Sequence, residues 1–74
     1  MNQADRKEID ELIDVLGPIR ERVRELAYSL QERADNLRDT NFEERAESLE
    51  EEAYRFEEIA DLLDEADEAL GVSE

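Results

Sequence analysis

The side chains able to do chemistry in this chain are almost all carboxylates. There are 24 Asp and Glu against nine Lys and Arg, with no histidine and no cysteine, and the net charge is −15. Carboxylates can shuttle protons, hold divalent metals or meet a basic partner. Proton transfer at neutral pH needs a group poised to titrate there. Ser29, Ser48 and Ser73 have no base partner other than carboxylates, so the chain is not expected to be an enzyme. The acidic run from Asp61 to Glu68 lacks the central glycine and the ligand spacing of a calcium loop. Without histidine there is no Glu-x-x-His pair for a di-metal centre, and without cysteine no thiolate zinc site or disulfide. No metal or cofactor is expected. What remains is recognition of something basic.

The acids are not spread evenly. Residues 43–68 hold thirteen acids and two bases, whereas residues 18–38 hold four acids and five bases. Read as a helix, the second half carries an a/d seam of Phe42, Ala46, Leu49, Ala53, Phe56, Ala60, Leu63, Asp67 and Leu70. The adjoining e, b and f rows read Glu43, Glu50, Glu57 and Asp64; Glu47, Tyr54, Asp61 and Glu68; Glu44, Glu51, Glu58 and Glu65. Eleven of these twelve are acids. The result is one apolar seam and one carboxylate wall on a helix expected over about 42–70.

The first half reads as a helix over about 5–38, capped by Asp5 with Glu8 completing a capping box. Its expected seam is Ile9, Leu12, Leu16, Ile19, Val23, Leu26, Leu30, Arg33 and Leu37. Gly17-Pro18 interrupts it. The heptad keeps phase across the dipeptide, so a kink is favoured over a break. Asp39-Thr40-Asn41 reads as the turn, with Thr40 or Asn41 capping the second helix, and Gly71 as its C′ residue. Met1 to Ala4 read as a frayed start, Ser73 and Glu74 as a tail.

The two seams fit as one domain, 1–74: an all-α, antiparallel, coiled-coil-like two-helix hairpin. Facing residues would have numbers adding to 79, pairing Leu30 with Leu49 and Val23 with Phe56. Arg20 would face Glu57 and Asp64. A chain this short buries a small core, so a homodimer, forming a four-helix bundle, is expected. Its interface would be the lateral apolar patch of Val15, Ile59, Leu62, Ala66 and Ala69.

Direct nucleic-acid or anionic-membrane binding is disfavoured by the charge. No apolar run is long enough for a signal peptide or a membrane span, so a cytoplasmic location is expected. On an axis of ~39 Å the second helix carries about one net charge per ~3.5 Å, close to the ~3.4 Å phosphate rise of a DNA strand. A rigid helix of this kind could occupy a basic, nucleic-acid-binding cleft. The residues expected to do so are Glu44, Glu47, Glu51, Tyr54, Glu58, Asp61, Glu65 and Glu68. Tyr28 and Tyr54 should be exposed, and Tyr54 interrupts the wall as a binding hot spot would. The alternative is a structural or adaptor hairpin acting through its apolar patch.

The opening Met1-Asn2, Arg6-Lys7-Glu8-Ile9, Leu12-Ile13 and Leu16 resembles small acidic helical-hairpin accessory proteins of phages and mobile elements. So does the closing Ile59-Ala60, Leu62-Leu63 and Glu65-Ala66-Asp67-Glu68-Ala69-Leu70. The likeness covers most of the chain and rests on heptad-like runs, from which Gly17-Pro18 departs. It implies an accessory protein of the anti-defence kind, such as an anti-CRISPR inhibitor that takes a nucleic-acid site on a CRISPR effector. It assigns no residue a role.

Overall fold

The computed structural model describes residues 2–73. Two helices, α1 (Gln3–Asp39) and α2 (Glu43–Ser73), pack side by side as an antiparallel hairpin with Cα extents of 58 × 14 × 11 Å. The expected states of Met1 and Glu74 lie outside the described residues.

α1 begins earlier than the Asp5 cap implied. Asn2 is the N-cap, and its Oδ1 accepts from the Asp5 backbone N–H at 2.8 Å. An amide side chain that satisfies one orphan donor is reason enough to start the helix there. α1 then runs unbroken through Gly17-Pro18. Pro18 cannot donate to the Asp14 carbonyl, but Asp14 and Pro18 both face solvent, where water can satisfy that oxygen.

The turn is made differently from the expectation. Asn41 takes a left-handed backbone, φ 67°. Its N–H donates to Arg38 O at 3.1 Å, and the Phe42 N–H donates to Leu37 O at 2.8 Å. These are the paired bonds of a Schellman ending, with Asn41 as the C′ residue. The Thr40 hydroxyl donates back to the carbonyls of Asn36 and Leu37. Thr40 and Asn41 therefore close α1 instead of capping α2, whose first turn is held by Ala46 N–H to Phe42 O at 3.0 Å. Gly71 is not a C′ residue either: it has no positive φ, and α2 continues through it to Ser73.

The seam of α2 lies where its sequence places it. Ala46, Ala53 and Ala60 are buried, and Leu49, Phe56, Leu63, Asp67 and Leu70 are half-buried; Phe42, beside the turn, is exposed. The seam of α1 does not. One expected row, Ile9, Leu16, Val23, Leu30 and Leu37, faces α2. The other, Leu12, Ile19, Leu26 and Arg33, points outward. Its place is taken by Ile13, Arg20, Ala27 and Ala34. This is a rotation of α1 by about 50° about its axis, at 3.6 residues per turn.

The reason lies in residue size. The core is Ala27, Leu30, Ala34, Ala46, Ala53 and Ala60, five alanines and one leucine. Alanines on both helices permit close backbone approach, which the large Leu12, Ile19 and Leu26 would prevent. The cross-helix ion pairs join residues whose numbers add to between 84 and 88. With these buried rows, that implies core layers adding to about 83, instead of 79. Leu30 then lies level with Ala53, Ala27 with Phe56 and Val23 with Ala60, a small residue against a large one each time.

Candidate functional site

With the rows of α1 renamed from what is buried, the hairpin has two unlike sides. On one side the e rows of both helices converge. Gly17, Gln31, Arg38, Glu50 and Asp64 are half-buried there. On the other side the g rows are exposed throughout: Leu12, Ile19, Leu26 and Arg33 on α1, Arg45, Glu52, Ile59 and Ala66 on α2.

The e side carries a ladder of charge pairs. Arg20 Nε donates to Asp64 Oδ1 at 2.8 Å, and its Nη1 lies 3.1 Å from Asp67 Oδ2. The expected contact of Arg20 with Asp64 is present, made from a core-facing row; its second partner is Asp67, not Glu57. Arg24 pairs with Asp64 and lies 3.9 Å from Asp61. Nearer the turn, Arg38 pairs with Glu50, whose Oε2 is shut away from solvent and faces that guanidinium. The other oxygen, Oε1, accepts from the Tyr54 hydroxyl at 2.8 Å.

These contacts shift titration. The Arg20 hydrogen bond holds the Asp64 carboxyl below its ordinary value, with Arg24 adding to it against desolvation. Glu50 is lowered first by the Tyr54 hydroxyl and then by Arg38. Tyr54 is raised in turn, because its proton is shared with Glu50. Among the described residues no group of His, Cys, Asp or Glu is placed to hold a metal ion.

The carboxylate wall is the outer face of α2. Glu44, Glu47, Glu51, Tyr54, Glu58, Asp61, Glu65 and Glu68 are all exposed. Among the described residues only Asp61 of the seven acids has a cation nearby, Arg24. The e-row acids are another matter, since Arg20, Arg24 and Arg38 offset Glu50 and Asp64. The continuous wall left facing solvent is thus narrower than the sequence count suggests: the b and f rows, one residue per ~5 Å of axis, with Glu43 and Glu57 of the e row still exposed beside them. Tyr54 is less of an interruption than it looks, because its hydroxyl is committed to Glu50 within the same helix. Tyr28 is exposed on α1.

The apolar residues of the lateral patch, Val15, Ile59, Leu62, Ala66 and Ala69, are exposed as well. The rotation of α1 adds Leu12, Ile19 and Leu26 to them, exposed by 50%, 44% and 44%. Sequence reasoning missed these three by assigning them to the seam. The signal that finds them is the competing alanine row, Ala27 and Ala34, which fits α2 better.

No helix among the described residues is long and apolar enough to cross a membrane. The class defined by the fold is an all-α helical hairpin. No family model, curated protein or solved structure matches the chain.

Proposed function

We propose that this hairpin is a non-catalytic binding protein whose α2 outer face occupies a basic, nucleic-acid-binding cleft of another protein. The observation that carries this reading is the b and f rows of α2. They are exposed for the length of the helix, and α1 offers its cations to the e row instead. Like charges three and four residues apart weaken a helix. Glu44 sits in the first turn of α2, where the helix dipole favours an acid, but the fold gains nothing from keeping Glu47, Glu51, Glu58, Glu65 and Glu68 side by side, so a partner is the physical reason for those five. A cleft lined with Lys and Arg would be drawn to such a surface quickly and in a salt-dependent way. A host defence nuclease, such as a CRISPR effector, has a cleft of this chemistry. Under this reading the protein works in the cytoplasm, that of the host cell if a phage encodes it.

The test is capture of basic host proteins on the immobilised chain at low and high salt. Binding is expected to fall steeply with salt. The triple variant Glu51→Lys, Glu58→Lys, Glu65→Lys is expected to lose the captured partner while its far-ultraviolet circular dichroism stays helical. Unchanged capture by that variant refutes the reading. A structural or adaptor role is favoured by the exposed Leu12, Ile19 and Leu26. It makes the opposite demand: charge reversal is harmless and Leu62→Asp is not.

A further inference from the structure

On the g side of the hairpin the charge pattern changes sign. The sixteen g and c positions between Leu12 and Ala69 contain one acid, Glu52, and four bases, Arg22, Arg33, Arg45 and Arg55, in a chain of net charge −15. Among the described residues none of these four arginines forms an ion pair, whereas Arg20, Arg24 and Arg38 on the other side all do. Most of the large aliphatic side chains that face solvent lie on the same side, gathered toward the open end: Leu12, Val15 and Ile19 from α1, Ile59 and Leu62 from α2, whereas Phe42 and Val72 are exposed on other rows. At the very end of this side, on the same g and c rows, stand Asp5 and Glu8. Read from open end to turn, the face is acidic, then mainly apolar with Arg22 within it, then basic apart from Glu52.

We propose that this face binds a second copy of the chain, turned end for end, to give an antiparallel dimer with both carboxylate walls outward. The occupant follows from three observations. First, a second molecule of net −15 is repelled everywhere except here, the one face with almost no acids. Second, the end-for-end arrangement sets Asp5 and Glu8 of each copy beside Arg33 and Arg45 of its partner and stacks the apolar segments at the centre. A parallel arrangement would set arginine against arginine. Third, the face runs the full 58 Å of the hairpin and is 14 Å across between Cα extremes, which leaves room for an interface of standard size, roughly 800 Å² per partner. Among the described residues the intramolecular core has only one large buried side chain, Leu30, so the added burial of Leu12, Ile19, Leu26 and Leu62 supplies what the hairpin lacks. The inference is independent of the α2 wall, which lies on other rows.

Sedimentation equilibrium of the full chain from micromolar to millimolar concentration reads it. Twice the chain mass is expected, and a monomer at the highest concentration overturns the proposal. Leu26→Asp is expected to weaken association by tenfold or more, about 1.4 kcal/mol. The double variant Arg33→Glu, Arg45→Glu is expected to weaken it also, with far-ultraviolet circular dichroism expected to stay helical despite loss of the Arg45 guanidinium from over the Phe42 ring, 5.9 Å from its centroid. Adding Asp5→Arg and Glu8→Arg to that chain is expected to restore the dimer. A dimer indifferent to both the Leu26 and the Arg33/Arg45 changes overturns the face. A charge swap that fails to restore association overturns the antiparallel orientation.

Discussion

Arg20 is the residue on which the packing of the two helices turns. It occupies a core-facing row, a place that hydropathy alone gives to a leucine, and is held there by Asp64 and Asp67 across the seam. Asp67 was the one polar residue in the α2 seam, and this pairing explains it: two helices each keep one charged residue inward, and the charges meet. The pair is still a third open to water, so it acts on orientation more than on stability. Its effect on pH dependence has a definite sign. A carboxylate whose folded pKa is depressed contributes stability above its ordinary pKa of about 3.9, and loses it as pH falls through the lower folded value. In a carboxyl carbon NMR titration Asp64 is expected to titrate below that ordinary value. Arg20→Ala is expected to move it back upward and to flatten the loss of stability in acid. Tyr54→Phe is expected to raise Glu50 and leave Asp64 where it is, since the two sites share no partner.

At the scale of the element, the helices differ in how much freedom their patterns leave. In α2 the a/d rows alternate alanine with larger side chains, and no other pair of rows is apolar. In α1 the row from Ile9 to Leu37 can be completed on either flank, by Leu12, Ile19 and Leu26 or by Ile13, Ala27 and Ala34. The completed row is the less hydrophobic one, because each helix then offers a row of alanines against which the larger row of the other packs, Ala53 against Leu30 and Ala27 against Phe56. Two substitutions separate the alternatives. Ala34→Leu forces a large side chain into a contact with no free space and is expected to destabilise by about 1–3 kcal/mol. Leu26→Ala, measured where the chain is too dilute to associate, is expected to cost within about 0.5 kcal/mol. Urea unfolding followed by circular dichroism checks both, and the reverse order would return Leu26 to the seam.

At the scale of the whole molecule, charge segregation is the governing feature. α1 supplies three arginines to the e side, leaves two, Arg22 and Arg33, on the g side where α2 adds Arg45 and Arg55, and offers almost nothing to the b and f rows of α2. Repulsion among 24 acids far outweighs the few paired contacts, which are themselves partly exposed. Screening therefore removes more repulsion than attraction. The melting temperature is expected to rise with sodium chloride at fixed protein concentration. A fall would mean that the cross-helix pairs dominate the electrostatics.

The sequence by itself determined the all-α hairpin, the position of the turn, the seam of α2 and the location of its carboxylate wall. Each of these is written in local periodicity: apolar residues three and four apart, acids on the adjoining rows, Thr40 and Asn41 where the pattern breaks. Only the tertiary structure decided which face of α1 turns inward, and with it the register, the core position of Arg20 and the outward row of Leu12, Ile19 and Leu26. Two faces of α1 share the row from Ile9 to Leu37, and the more apolar of the two is the one left outside. The choice between them rests on how closely a partner helix of alanines can approach and on where Asp64 and Asp67 wait for a guanidinium, and neither is a property of α1 alone.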